Sequence, residues 1–326
     1  MKLIKNVLDT IGNTPIVKLN DPGKPGDFGT FEADLYAKIE SHNPSGSIKD
    51  RIAKYMIEKA EKDGQLIPGF NIVEATSGNA GISFAMVAAL KGYKMVAVMP
   101  ETANIERMKF MWAYGAEVVL TPGSESVQGS VNKAKELAKQ KGWWMPRQFE
   151  NFDNVDAHRE TGKEILKQVP EGKIDAVVLS VGTGGTLGGV GQTIRAVNPK
   201  VKVIVAQPAG SQELTGGKPG EHLIGGIADG FVPAIVDKSI IDRFINIKDA
   251  DAVRMSRRLA KEKGLFVGIS SGCNVAAALR VAREMKKGQT IVTVLPDSAD
   301  RYISLGLFDK IDAEDVKIST SCAGVQ

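Results

Sequence analysis

Short apolar runs rich in valine and isoleucine alternate with amphipathic stretches along this chain, and no other feature narrows the possible folds so far. The runs are NIVEA (71–75), MVAVMP (95–100), EVVLTP (117–122), DAVVLSVG (175–182), KVIVAQP (202–208) and TIVTVLPD (290–297). Strands that are apolar on both sides belong in a parallel sheet, because crossover helices cover both of its faces. The class is therefore α/β. The loop-rich stretch PRQFENFDNVDAH (146–158) divides the series, and GSQELTGGKPGEHLIGGIADGFVP (210–233) makes a second, glycine-rich break. The first three strand and helix units suffice for a smaller domain, and the remainder for a larger one. No internal repeat or low-complexity tract interrupts this order.

With 326 residues and 43% hydrophobic content, the chain can bury a substantial core. Its 42 basic and 38 acidic residues leave a formal charge of +4, and no block of like charges marks a nucleic-acid or membrane surface. The apolar runs are far shorter than the ~20 residues of a membrane span. The beginning, MKLIKNVLDTIGNTP, has no apolar signal region, and Cys273 and Cys322 match no metal or redox spacing. The expected setting is a reducing cytoplasm. His42, His158 and His222 are dispersed, without an H-E-x-x-H pair or a carboxylate cluster, so no metal site is expected. No G-x-S-x-G elbow supports a serine hydrolase.

In an open α/β sheet, ligands bind where strands end and helices begin. Three such junctions are rich in glycine and hydroxyl residues. In EATSGNAGI (74–82), Thr76, Ser77, Gly78 and Asn79 precede a helix. Backbone N–H groups and short polar side chains there suit a small anion such as a carboxylate, although a capped turn without a ligand uses the same residues. In SVGTGGTLGGVG (180–191), Gly182, Thr183, Gly184, Gly185 and Thr186 open the next helix. Converging amides and two hydroxyls build a phosphate cradle, while close packing of helix on sheet is the competing reason for the glycines. Neither a G-x-G-x-x-G with its acidic partner nor a G-K-[ST] is present, so the cradle suits a monophosphate. In FVGISSGCN (266–274), one of Ser270 and Ser271 can cap a helix, and the other can address a ligand heteroatom.

A fourth stretch, SHNPSGSIKDR (41–51), sets Lys49 behind a turn, with Ser45 or Ser47 available to cap the helix that follows. Alone, Lys49 reads as a solvated surface lysine, because the positive end of a helix dipole offers a lysine nothing. Combined with a monophosphate cradle, an anion-binding loop and a serine at a helix start, it points to pyridoxal 5'-phosphate held as a lysine Schiff base. On that reading Ser45, Gly46 and Ser47 leave room for the planar ring.

The order of motifs then resembles a known family across nearly the whole chain. IGNTP (11–15), NPSGSIKDR (43–51), TSGN (76–79), MPE (99–101), GAEVVLT (115–121), QF (148–149), GTGGT (182–186), GISSG (268–272) and RYIS (301–304) occur in sequence. They resemble the cysteine synthase and cystathionine β-synthase group of pyridoxal-phosphate β-replacement enzymes. The resemblance implies a fold type II, tryptophan synthase β-like architecture: two open, mostly parallel sheets flanked by helices, with the active site between domains. Residues 1–45 and 153–326 would form the larger, cofactor-binding domain, and 46–152 the smaller, mobile one. Lys49 would be the Schiff-base lysine and the base for the Cα proton. Asn79 would touch the ring hydroxyl, Gly182 to Thr186 would hold the phosphate, and Ser270, or Ser271 with the register shifted by one, would meet the pyridine nitrogen. Thr76, Ser77 and Gln148 would bind the substrate carboxylate. The implied reaction passes through α-aminoacrylate and makes cysteine from O-acetylserine and sulfide. The implied partners are a second copy in a homodimer and the C-terminal peptide of serine acetyltransferase. The segment after Phe308 is too short for a regulatory domain of the animal cystathionine β-synthase kind.

Two departures from the family pattern bear on substrate. Ala80 replaces the threonine of the usual TSGNTG loop, and Ala228 and Asp229 stand where glycine and alanine are usual. A carboxylate at 229 would disfavour an anionic substrate such as O-phosphoserine and can serve as a base toward water or a thiol. The alternative activity is therefore consumption of cysteine, with release of hydrogen sulfide and formation of serine or a thioether such as lanthionine. A solvated loop aspartate is the plainer account of Asp229. A different class altogether is a catalytically silent binding partner of serine acetyltransferase, against which the intact Lys49 and GTGGT loop speak.

Overall fold

The computed structural model describes residues 3–21, 28, 31–76, 78–306 and 308–309. In chain order the elements are β1 (Ile16–Lys18), β2 (Asp34–Ile39), α1 (Lys49–Lys62), β3 (Asn71–Ala75), α2 (Asn79–Lys91), β4 (Lys94–Pro100), α3 (Ile105–Ala113), β5 (Glu117–Thr121) and α4 (Ser126–Lys141). There follow α5 (Asp153–Gln168), β6 (Ala176–Ser180), α6 (Gly185–Val197), β7 (Lys202–Pro208), β8 (Arg243–Ile247), α7 (Asp249–Lys263), α8 (Ile269–Ala282) and β9 (Thr290–Leu295).

The strands form two sheets. One has six strands in the order β1-β2-β9-β6-β7-β8, and the other has three in the order β3-β4-β5. Every pairing is parallel except that of β1 with β2. The six apolar runs in the sequence are β3, β4, β5, β6, β7 and β9, so the α/β expectation of two mostly parallel sheets is met. β1, β2 and β8 carry too many polar residues to stand out as apolar runs. β2, for instance, is DLYAKI, and its Lys38 is fully buried because Glu164 lies 2.7 Å away.

Period-two alternation assigns each strand two cores. On the smaller sheet, Ile72, Ala97 and Met99 pack with Ile82 and Met86 of α2, while Val73, Val96 and Val98 pack with Val131 and Ala134 of α4. α2 is apolar nearly all round, as a helix enclosed on all sides must be. On the larger sheet, β9 is buried along its whole length. The chain leaves this sheet after β2, builds the three-stranded sheet, and returns through α5 and β6. That excursion brings the carboxyl ends of β3 and β6 toward each other.

No described helix is long and apolar enough to cross a membrane, and no cluster of His, Cys, Asp and Glu among the described residues suits a metal ion. Cys273 is a buried, free thiol, its pKa pushed up to about 12 by burial. Such a thiol packs as a small apolar side chain and does not act as a nucleophile.

Candidate active site

Four helices begin at one cleft, which is open to solvent and about 820 Å³ in volume with its mouth included. Lys49 is the first residue of α1 and Asn79 the first of α2, while Gly185 opens α6 and Ser270 is the second residue of α8. Helix N-termini present unpaired N–H groups and partial positive charge, so their convergence suits an anionic ligand. The cleft is lined by Lys49, Thr76, Asn79, Gln148, Gly182, Thr183, Gly184, Thr186, Asp229 and Ser270. Gly185 lies immediately behind the lining. Ser77, the remaining expected residue, lies outside the described residues.

At the head of α6, side chains would block the cradle. A Cβ on Gly182 would fall 2.3 Å from the Gly226 carbonyl oxygen, and one on Gly185 would fall 1.8 Å from Asn154 Oδ1. Gly184 has φ +96°, a left-handed value that favours glycine. The N–H groups of Thr183 and Gly184 donate to no backbone carbonyl among the described residues. Close packing and an open cradle are here one geometry: the glycines that admit α5 also leave these amides bare.

Lys49 stands across the cleft from this cradle. Among the described residues no hydrogen bond or ion pair engages its Nζ; only its backbone N–H is used, donating to Ser47 Oγ at 3.3 Å. Burial lowers its pKa, and Asp229 and Asp297 partly offset that. Ser45, Gly46 and Ser47 do not line the cleft, contrary to the expectation that they make room for a ring. The Ser45 hydroxyl donates to buried Asp50, and a Cβ on Gly46 would fall 2.9 Å from Arg301 Nη2. Their small size lets the turn pack onto Asp50 and Arg301 beneath Lys49.

The loop after β3 is held from within. Thr76 Oγ1 accepts from Gly78 N at 2.9 Å and from Gly81 N at 3.0 Å, so its hydroxyl proton is left to donate. A Cβ on Gly78 would fall 2.1 Å from Arg107 Cδ, which makes glycine obligatory there. Gln148 donates to the Ala75 carbonyl at 2.8 Å, leaving its second amide proton for the cleft. Asn79 is fixed at both ends, since Nδ2 donates to Asp297 at 2.7 Å and Oδ1 accepts from Arg301 at 3.2 Å. Of the two serines, Ser270 lines the cleft, whereas Ser271 Oγ is buried without a hydrogen-bond partner among the described residues.

Both departures from the family pattern face the cleft. Ala80 is buried in its wall. Ala228 has φ +51°, a left-handed value unusual for alanine, and is held there by its N–H to Val181 O at 3.0 Å and by His222. Because His222 Nδ1 accepts from Ile224 N at 3.2 Å, its Nε2 carries the proton and donates to Ala228 O at 3.0 Å. The Asp229 carboxyl is raised by burial, against the pull of Lys49, His222 and Arg107. Asp229 is half-buried and lines the cleft.

Four residues near the site carry no motif signal. Arg107, 6% exposed, lines the cleft with its guanidinium 5.1 Å from the Tyr302 ring centroid. Asp297 accepts from both Asn79 and Tyr302. Asn154 and His158 of α5 reach the two threonines of the cradle. His158 is kept neutral by burial, with Lys49 and Arg51 adding to the effect.

Comparison with known proteins agrees with this arrangement. The family model described as pyridoxal-phosphate dependent enzyme matches residues 7–297. A cysteine synthase of Staphylococcus aureus is 47% identical over 308 residues, covering 94% of this chain and 98% of that protein. The crystal structure of an O-ureido-L-serine synthase superposes with a TM-score of 0.90 at 43% identity, covering 97% of this chain and 98% of that one. A hydrogen sulfide-producing enzyme from Fusobacterium nucleatum superposes with a TM-score of 0.87 at 41% identity, covering 92% of this chain and all (100%) of that one.

Proposed function

The chain belongs to the family of pyridoxal-phosphate-dependent enzymes, and from that premise we propose that it makes cysteine from O-acetylserine and sulfide by β-replacement. Pyridoxal phosphate fits the cleft on the chain's own terms. Thr183, Thr186 and the bare amides at the head of α6 suit its phosphate, and the unengaged Lys49 amine suits its aldehyde. Asn79 and Ser270 supply polar groups for the ring hydroxyl and the ring nitrogen. When bound, the cofactor withdraws electrons from the carbon bearing the amino group, which eases loss of that carbon's proton and of a β substituent. Ser270 restrains this pull, because a neutral hydroxyl cannot hold the ring nitrogen protonated as a carboxylate would. Thr76 and Gln148 hold the substrate carboxylate with the protons their internal hydrogen bonds leave free. Lys49 Nζ, its pKa lowered by burial, takes the proton from Cα.

The observation that carries this reading is the unengaged Lys49 amine sharing one cleft with the head of α6. To test it, the purified protein is mixed separately with O-acetylserine, O-phosphoserine, serine and cysteine, with and without sulfide, and the products are identified. Cysteine from O-acetylserine and sulfide is expected. No turnover of any of the four would sink the reading.

The position of Asp229 favours a second reading, release of sulfide from cysteine. A carboxylate beside Lys49 can take a proton from water or a second thiol as either attacks. Asp229→Ala is then expected to lose sulfide release from cysteine while keeping synthesis from O-acetylserine; unchanged release removes Asp229 from any such role.

We assign residues 46–152 to a smaller, mobile unit and 1–45 with 153–326 to a larger, cofactor-binding one. In support, β3 to β5 form their own sheet, and Lys49, Thr76 and Gln148 lie in the first unit while the cradle and Ser270 lie in the second. The same clamp of Thr76 and Gln148 can take the C-terminal carboxylate of a serine acetyltransferase peptide, in a chain that pairs as a homodimer.

A further inference from the structure

Asn154, the second residue of α5, is completely buried and touches both halves of the site. Its Nδ2 donates to the backbone carbonyl of Gln148 at 2.8 Å and to Thr183 Oγ1 at 3.0 Å. A carbonyl oxygen only accepts, so the amide has one possible orientation and both of its protons are spent. We propose that Asn154 is a positioning residue that orients the phosphate cradle and the substrate-carboxylate clamp through this one amide group, an inference that rests on the cleft holding pyridoxal phosphate.

The effect on Thr183 follows from hydrogen-bond capacity. A hydroxyl oxygen that accepts from Asn154 keeps its own proton for another acceptor, and Thr183 lines the cleft. Asn154 thereby makes this threonine a donor toward the phosphate. On the other side, the bond to Gln148 O holds the backbone of a residue whose side chain is itself anchored on Ala75 O at 2.8 Å. Losing Asn154 removes the bond to the Gln148 carbonyl and leaves Gln148 held by that side-chain bond and by its backbone N–H on Glu74.

Glycines permit the approach that makes this possible. Beyond Gly185, a Cβ on Gly189 would fall 2.4 Å from Val155 O, and one on Gly188 would fall 3.0 Å from Val155 Cγ1. The glycine face of α6 therefore admits α5 to the back of the cradle. One turn further along α5, His158 Nε2 lies 3.4 Å from Thr186 Oγ1, so the second cradle hydroxyl has a partner on the same helix.

The test uses the full chain stripped of cofactor and titrated with pyridoxal phosphate and, separately, with pyridoxal, followed by absorbance and protein fluorescence. For Asn154→Ala, affinity for pyridoxal phosphate is expected to fall about ten-fold, the size of one lost hydrogen bond, while affinity for pyridoxal stays within about two-fold. Asn154→Leu keeps the buried volume and serves if the alanine variant does not fold; the same outcome is expected. Thr183→Val breaks the same bond from its other end, so the double variant should bind pyridoxal phosphate no more weakly than Thr183→Val alone. With cofactor saturating, Asn154→Ala should raise KM for the amino-acid substrate, whereas Thr183→Val should not. Equal losses for the two ligands, or additive losses in the double variant, would overturn the inference. A wild-type chain that binds neither ligand would instead overturn the cofactor reading on which it rests.

Discussion

Lys49 and Arg51 stand two positions apart at the head of α1 and have opposite surroundings. Arg51 is saturated: its guanidinium donates to Glu40 at 2.7 and 2.8 Å and to Glu164 at 2.7 Å through two nitrogens. Lys38 adds a second cation 2.7 Å from Glu164, completing a buried network that joins α1, α5 and the end of β2. Burial alone would raise the Glu164 carboxyl, but Arg51 and Lys38 more than offset it and hold its pKa at about 2. Among the described residues no ion pair or hydrogen bond engages the Lys49 amine, and burial lowers its pKa. Two cations of one helical turn thus divide into one that ties the fold together and one that lines the cleft. Pairing separates them, not position in sequence.

The sharpest break in this comparison comes from removing the unpaired cation. Lys49→Ala should lower cysteine synthesis by at least about 10³-fold and abolish the visible absorbance of the bound cofactor. Thermal unfolding of the cofactor-free chain should be no easier than for wild type, since no bond is lost. Arg51→Met should do the reverse, costing about 3–5 kcal/mol of stability in denaturant unfolding because two buried carboxylates lose their partner. The pH dependence sharpens this further. Glu164, with its folded pKa below the ordinary carboxylate value, contributes stability above about pH 4.5 that is lost as pH falls toward 2, and Arg51→Met should shrink that acid-side loss to the part that Lys38 and the Asn13 N–H sustain.

Glu74 is the acidic counterpart of Lys49. It is fully buried, its Oε2 accepts from Arg147 N at 2.7 Å, and burial, outweighing the backbone hydrogen bonds it accepts, pushes its pKa up to about 8. Its contribution is fully present below the unfolded pKa and is lost as pH rises through 8. Glu74→Gln, which stays neutral, should gain on wild type between pH 5 and 9 by roughly 2–4 kcal/mol, read as a widening gap in Tm. A constant gap would mean that Glu74 is ionised throughout. The smallest effect belongs to the loop that carries Asp229 toward Lys49. Ala228→Gly should raise stability by about 1 kcal/mol in denaturant unfolding, because glycine adopts the φ of +51° without strain.

Much of the fold was legible because β-branched runs advertise themselves. β1, β2 and β8 were not, because a buried network or an edge position satisfies polar residues that period-two patterning counts against a strand. Lys49 and the glycine-rich loop were legible as candidates because glycines, hydroxyls and a lysine at strand-to-helix junctions are unusual together, and the structure brings them to one cleft. Arg107, Asn154, His158 and Asp297 were not, since each is an ordinary polar residue whose role lies in a neighbour distant in sequence. Asn154 sits in a stretch that reads only as a loop, and its partner Thr183 is 29 positions away. The choice between Ser270 and Ser271 needed the start of α8, a matter of one residue that no pattern resolves.

By itself, then, the sequence determined the α/β class, the strands buried on both faces, and the glycine-rich junction and the lysine on which the proposed function rests. These follow from local chemistry: side-chain shape sets strand preference, and glycine sets which backbones are reachable. Only the tertiary structure decided which groups are paired. Among the described residues it left the Lys49 amine without a hydrogen bond or ion pair while pairing Arg51 with two carboxylates, brought Asp229 to the cleft, and set Asn154 behind the head of α6. The physical reason is that pairing and burial depend on distances between residues far apart in the chain, and a carboxylate's or an amine's chemistry follows from those distances more than from its own identity.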